Sequence, residues 1–506
     1  MAGLVESLLV AQTLLSNVSL SSSNSTLPAL RARLTPRGID YASVLSHQIL
    51  QDEIHNITFP SITAEITDGP GHGVVTVHQM SIEKFEAPVF KYQLAPPHGI
   101  TWKSTGGSVL IKGDWSAWYL VLFKIYVNGQ VRVWAENIDI FLNASVYATK
   151  NGLPQLKVLD CAANVGSLSI DITGGVIPWI VNLFHTSIAA SIRAEIHDEV
   201  CIAARGVLLN NANTALRSLP THVPLQGGFC LDYALTSDPV STQDYVQGES
   251  YAAISWQEDN STAILPNPLP EPVVPLGRQR MLYFWASDFI ANTFLRTAHL
   301  HDFLEFVVDK SFGGRVASFL RTTCDFICIG TAIPQLGKKY PNHTVDVVLK
   351  TIAAPFINVH AGNALLNASL SADVYISPYN TTQELVIEAC VDLSGNLTVS
   401  MARRLVKGAL QITNFTLTIK NSTIGTVDKQ AVHLIEVLLR PILQMLATAV
   451  LDKGIELPTV ENITLVRPQI VMLERAIRIE TDLVYKQHYH RKLVAAKRNR
   501  RLGEKP

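Results

Sequence analysis

The side chains that could do chemistry are few and poorly spaced for it. His299-Leu-His301 and His488-Tyr-His490 each put two imidazoles close together, but neither pair has a third ligand near it in the chain. Cys324 and Cys328 lack the companions of a zinc site, so the six cysteines (Cys161, Cys201, Cys230, Cys324, Cys328, Cys390) read as an even set available for disulfides. Gly69-Pro-Gly-His-Gly73 does not have the spacing of a dinucleotide loop and reads as a turn between strands. No Gly-x-Ser-x-Gly elbow, His-Glu-x-x-His helix or phosphate-cradling loop occurs, so no enzyme, metal site or cofactor is expected. Sugar acceptors are abundant by contrast. N-x-S/T stands at Asn17, Asn24, Asn56, Asn143, Asn260, Asn342, Asn367, Asn380, Asn396, Asn414, Asn421 and Asn462, which predicts a secreted glycoprotein.

The elements that would position any site belong to a large, apolar chain. Of 506 residues, 47% are apolar and 16% charged, against about 25% charged in ordinary domains, which excludes a disordered chain or a charge-laced coiled coil. A net charge of −1 argues against a nucleic-acid partner. Residues 4–15 are apolar enough for the core of a signal peptide, although Glu6 interrupts them and no basic residue precedes them. The best uncharged candidate for a membrane span, Ile172 to Ile192, holds Pro178, Asn182 and His185 and reads as a buried helix rather than a bilayer span.

The order of patterns runs twice. A helical stripe over 36–56 (Ile39, Tyr41, Ala42, Leu45, Ile49) leads into long period-two segments. Tyr119, Val121, Phe123, Ile125 and Val127 are expected on one strand face; Ile138, Ile140, Leu142, Ala144 and Val146 on another, with Asn143 opposite them on the wet side. A second helix is expected from Val176 to about Leu219. Residues 236–278 lose periodicity and end with five prolines in the eleven residues Leu265 to Pro275, an extended connector. The order then restarts. A helix is predicted over about 286–308, alternating strands over 343–425, a helix over 430–454 and a last strand near Asp482. This is an α+β pseudo-duplicate.

Five segments carry a resemblance: Arg37-Gly-Ile-Asp-Tyr-Ala-Ser; Trp179-Ile-Val-Asn-Leu-Phe-His; Arg280-Met-Leu-Tyr-Phe-Trp-Ala-Ser-Asp-Phe; Gly337-Lys-Lys-Tyr before Pro341-Asn; and Asp482-Leu-Val-Tyr-Lys. Over about residues 31–486 the chain resembles the bactericidal/permeability-increasing, lipopolysaccharide-binding and lipid transfer proteins. The resemblance implies a boomerang of two barrels, each a twisted antiparallel sheet wrapped on a long helix, joined by a central sheet. It divides the chain into a leader (1–30), a first lipid-binding barrel (31–235), the proline-rich linker (236–278), a second barrel (279–485) and a basic tail (486–506). It also implies a bridge between Cys161 and Cys201, which leaves three pairings open among Cys230, Cys324, Cys328 and Cys390.

A lipid carrier must shelter hydrocarbon: one sixteen-carbon chain represents about 12 kcal/mol at about 0.8 kcal/mol per methylene. With the resemblance as warrant, the candidate lining is Tyr41, Leu45, Ile49, Ile180, Leu183, Phe184 and Ile188 in the first unit. In the second it is Phe289, Phe294, Leu295, Leu438, Ile442 and Met445. The same spacing also describes plain helix-to-sheet core. The expected ligand is a phospholipid or another amphipathic lipid, and the expected partner a membrane or lipoprotein surface met transiently. The alternative is an innate-immune protein that binds bacterial lipopolysaccharide. Endotoxin-binding relatives have a strongly basic first barrel, whereas residues 1–240 here carry 14 basic and 18 acidic side chains. The hairpin from Gly113 to Lys124 has aromatics where those relatives have lysines, so Trp115, Trp118 and Tyr119 are candidates for contact with a lipid surface. Residues 486–506, with eight basic side chains and one acid, read as a solvated tail that could also meet anionic lipid.

Overall fold

A computed structural model of the chain describes residues 27–53, 61–67, 69–174, 201–202, 205, 213–217, 222–257, 269, 279–402, 405–456 and 463–485. Three longer helices lie among them: α1 (Pro36–Glu53), α2 (Asp288–Leu300) and α3 (Lys429–Lys453).

The first unit is an antiparallel sheet of β2 (Ile62–Ile66), β3 (His72–Glu86), β4 (Val89–Ala95), β5 (Gly99–Thr105), β6 (Ser108–Leu120), β7 (Lys124–Ala148) and β8 (Pro154–Gly174). β7 is the spine: β6 and β5 follow each other along one edge and β8 lies along the other. The second unit has β15 (Glu305–Val308), β16 (Val345–Thr351), β17 (Phe356–His360), β18 (Asn363–Ile376), β19 (Leu385–Ala402), β20 (Leu405–Ser422) and β21 (Ile455–Glu456). Here β18 is the spine, with β16 and β17 on one edge and β19 on the other. Around each spine the two units thus share one arrangement of neighbours, although the strands beyond them differ, and the helix expected from Val176 to about Leu219 lies mostly outside the described residues. In both sheets alternation sorts the side chains. Val75, Val77, Trp115, Ala117, Tyr119, Val131 and Val133 form one core; Ala372, Val374, Ile387, Ala389, Val391, Ile412 and Leu417 form the other.

Between the units lies a central sheet built from both ends and the middle of the chain. It comprises β1 (Leu30–Leu34), β11 (Val240–Ser241), β12 (Val246–Ser250), β14 (Leu282–Ser287), β22 (Ile463–Leu473) and β23 (Ala476–Tyr485), in the order β11-β12-β1-β14-β23-β22. Three of the resemblance segments converge there on one carboxylate. Arg280 Nη1 lies 2.8 Å from Asp482 Oδ2, the Met281 amide donates to Asp482 Oδ1 (3.1 Å), and Arg37 Nη1 approaches that oxygen at 3.7 Å. A three-stranded sheet of β9 (His222–Pro224), β10 (Phe229–Asp232) and β13 (Ala253–Trp256) packs beside it on α2.

Several sequence expectations need correction. Residues 240–256 are not connector but strands β11 to β13, because Val246 to Ser250 pair with β1; the proline run itself lies almost wholly outside the described residues. The helix expected over 286–308 is α2 alone: it stops at Leu300, the Phe303 amide turns back to the Ala298 carbonyl, and Phe306 belongs to β15. Alternation does not run from Tyr119 through Phe123, because the chain turns over at residues 121–123, between β6 and β7.

A candidate lipid-binding face

α3 starts on Asp428, whose side chain accepts from the Ala431 amide, and ends on Gly454 at φ +73°. Its apolar residues are long enough to cross a bilayer by composition, yet the helix lies along β20. Glu436, Arg440, Gln444 and Thr448 recur every four residues and so form one row. Among the described residues β20 is the sheet's last long strand, bordered beyond only by β21 at residues 405 and 406, so much of its outer edge has no strand partner among them. The row takes that place. Glu436 Oε1 accepts from the Leu417 amide (2.7 Å) and Gln444 Oε1 from the Ile412 amide (3.1 Å). Arg440 Nε donates to the Ile412 carbonyl (3.2 Å), and Thr448 Oγ1 donates to that of Leu410 (3.3 Å). Edge-strand backbone that would otherwise be unpaired is satisfied by helix side chains.

With the polar row turned to the strand edge, the apolar residues of α3 divide in two. Ile435 is buried, and Leu438, Leu439, Ile442 and Leu443 pack on the second sheet's core. Leu434, Val437 and Met445 form a separate row that faces outward, Val437 at 56% and Met445 at 57% exposure. Pro441 stands in the same row and withholds an amide from the Val437 carbonyl. A groove of about 610 Å³ runs beside it, lined by Arg440, Gln444, Met445 and Thr448 among others, within the volume range of about 300–1,000 Å³ usual for ligand sites.

The first unit exposes apolar side chains elsewhere. Trp115 (1% exposed) and Tyr119 (0%) are buried, a correction to the expected lipid contact. The Trp115 indole donates to the Thr173 carbonyl (3.2 Å) and the Tyr119 hydroxyl accepts from the Gly71 amide (2.9 Å). Trp118 is half-buried, with the His72 ring edge-on at 5.9 Å and Lys124 Nζ at 4.6 Å from its ring centre. The turn between β6 and β7 points out instead, Leu122 at 91% and Phe123 at 68% exposure, with Tyr126 beside them. On the second unit a bridge from Cys324 to Cys328 closes a loop that exposes Phe326 and Ile327.

Comparison with known proteins fits this architecture. Residues 38–211 match the N-terminal domain of the LBP / BPI / CETP family and residues 225–485 its C-terminal domain. The chain belongs to that family. A lipopolysaccharide-binding protein of Bos taurus is 23% identical over 90% of this chain and 94% of its own, and a bactericidal permeability-increasing protein of Rattus norvegicus is 21% identical over 93% and 96%. A BPI/LBP family protein of Arabidopsis thaliana is 25% identical over 76% of this chain and 78% of its own. A crystal structure of lipopolysaccharide binding protein superposes with a TM-score of 0.57 at 20% identity, over 91% of this chain and all of that one, so the boomerang of two barrels is the fold. The family's members bind or transfer lipids and are not enzymes.

Within that frame the sequence candidates separate. Leu438 and Ile442 face the sheet, and only Met445 stands on the exposed row. Phe289 is buried against Tyr251 (5.6 Å between ring centres), and Phe294 packs 4.8 Å from Phe229, both at the joint between units; Leu295 is half-buried on the same helix. Leu45 is core, packed with Tyr92 and Tyr485, and the Tyr41 hydroxyl accepts from the Tyr485 amide (3.0 Å). The side chain of Ile49, and Ile180, Leu183, Phe184 and Ile188, lie outside the described residues. Cys161 is bridged to Cys201 as the resemblance implied; of the open pairings, Cys324–Cys328 forms, while Cys230 and Cys390 are free thiols. Sequence reasoning missed Leu434, Val437 and the gripping row, although polar residues every fourth position in an apolar helix were a visible signal.

Proposed function

We propose that the protein is a secreted lipid carrier that holds phospholipid-like acyl chains along the outward apolar row of α3. One observation carries this: the row of Leu434, Val437 and Met445 is uncovered on a helix whose two other faces are occupied by protein. Burying each such side chain against hydrocarbon is worth about 1.5–3 kcal/mol, enough in sum to hold a substantial part of one acyl chain. In the first unit the exposed turn at Leu122 and Phe123 is the part suited to dip into a lipid surface, in place of Trp115 and Tyr119.

Glycan acceptors support a secreted protein. Asn342, Asn367, Asn380, Asn414 and Asn421 are exposed; Asn143 and Asn396 are half-buried, and Asn56, Asn260 and Asn462 lie outside the described residues. The names of the mammalian relatives favour a second reading, capture of bacterial lipopolysaccharide. The acidic balance of residues 1–240 works against it.

Lipid extraction and mass spectrometry of the purified full chain test the first reading. Phospholipid should co-purify, and Val437→Asp should reduce the load while the protein stays folded. A lipid-free protein, or an unchanged load in the variant, rejects the site. Saturable endotoxin binding that weakens with salt would favour the second reading.

A further inference from the structure

The three-stranded sheet at the joint gathers three metal-ligating side chains that lipid carriage does not use. Cys230 and Asp232 are two residues apart on β10, so both side chains leave the same face. β9 runs antiparallel to it, with His222 directly opposite Asp232. The register therefore sets the imidazole beside the carboxylate: His222 Nδ1 contacts Asp232 Oδ1, and one ligand atom from each of His222, Cys230 and Asp232 lies within 4.8 Å of the other two. A tetrahedral zinc ion with bonds of about 2.0–2.3 Å spaces its ligand atoms about 3.3–3.8 Å apart, within reach of small side-chain rotations here.

We propose that His222, Cys230 and Asp232 form a three-ligand site for a borderline transition-metal ion, zinc(II) foremost, with water as the fourth ligand. Nitrogen, sulfur and oxygen donors in one cluster suit that ion better than calcium or magnesium, which take oxygen. Ser255 Oγ donates to Asp232 Oδ2 (3.3 Å) and so orients the carboxylate from behind. His222 is exposed and gives the ion a way in, whereas Cys230 is buried and has no disulfide partner. A cysteine nucleophile is a poor alternative. Burial, helped by the Asp232 charge, pushes the thiol up to about 11, and its hydrogen is donated to the Val223 carbonyl (3.2 Å). Coordination reverses that state: the sulfur–hydrogen bond breaks, a sulfur–metal bond forms, and one proton leaves to solvent. The consequence is structural. β9 is three residues long, and the ion fastens it to β10 in the sheet that packs on α2.

The full-length protein, stripped with chelator and titrated with cobalt(II), should bind one ion per chain with a thiolate-to-cobalt charge-transfer band that zinc(II) bleaches. Cys230→Ser should abolish the band, and His222→Ala, an exposed position that does not threaten folding, should weaken binding at least about tenfold. Cys390→Ser, His299→Ala and His488→Ala should leave both unchanged. Absence of the band, its survival in Cys230→Ser, unchanged binding in His222→Ala, or its loss in Cys390→Ser each overturns the site, whatever lipid the protein carries.

Discussion

α2 and α3 are built from similar residues and treated in opposite ways. Both use polar side chains to hold strand backbone. On α2, Asn292 bonds both the amide and the carbonyl of Ile357 (2.7 and 2.9 Å), and Thr293 and Thr297 bond those of Ile254 (3.0 and 3.1 Å). On α3, Glu436, Arg440, Gln444 and Thr448 do the same for β20. What differs is the apolar remainder. Around α2 the aromatic rings of Tyr251 and Phe229 close over Phe289 and Phe294, and the helix becomes core. Around α3 the sheet covers one apolar row and leaves the other open. A helix that docks partly through polar groups need not spend all its apolar surface on docking, and the row left over on α3 is then free for a ligand.

The largest effect expected is therefore on α2. Phe289→Ala should destabilise the protein by about 3–5 kcal/mol in denaturant unfolding, whereas Met445→Ala on α3 should stay within about 0.5 kcal/mol. Equal costs at the two positions would break the contrast. The first unit offers a parallel pair, buried Tyr119 and exposed Leu122. Leu122→Asp and Phe123→Asp should each weaken binding to phospholipid vesicles by about 1.5–3 kcal/mol, roughly ten- to hundredfold, with the melting temperature unmoved. Vesicle binding indifferent to both would mean that this turn does not meet lipid. Next comes the grip itself: Glu436→Ala strands the amide of buried Leu417 and should cost about 1–3 kcal/mol in unfolding. A silent Glu436→Ala would show that water replaces the row and that docking is apolar after all.

How much of this was legible follows from what each element depends on. Strand faces such as Leu142, Ala144 and Val146, all buried, were readable because period-two alternation is local. The helix at 429–453 was readable from its apolar spacing, but not its orientation, since nothing local says that its polar row meets an open strand edge. Residues 121–123 deceived because apolar turn residues continue the alternation of the strand before them; only the pairing of Leu120 with Lys124 reveals the reversal. β11, β12 and β13 were invisible for the opposite reason: two to five residues each, they owe their strand state to partners in distant parts of the chain. The cluster of His222, Cys230 and Asp232 was hidden likewise, since cross-strand register and not sequence spacing brings the histidine to the other two.

The smallest effect concerns the outer face of the sheet whose inner side α3 covers. Asp373 on β18 stands directly opposite Glu388 on β19. Its carboxyl is held above the usual range, first by burial and then by the Glu388 charge. The native chain therefore takes up that proton at a higher pH than the unfolded chain. Stability is gained as pH falls through the raised value towards the ordinary carboxylate range, and lost as pH rises through it. Glu388→Gln removes the like charge, so it should stabilise the protein at neutral pH by about 0.2–1 kcal/mol and flatten the acid-side slope of stability against pH, both read by denaturant unfolding across a pH series. Because the pair is on the face opposite α3, the co-purified lipid should not change. A lipid load that moved with Glu388→Gln would tie the outer face to the open row, and the exposed residues of α3 could then no longer be treated as a surface set apart from the fold that carries it.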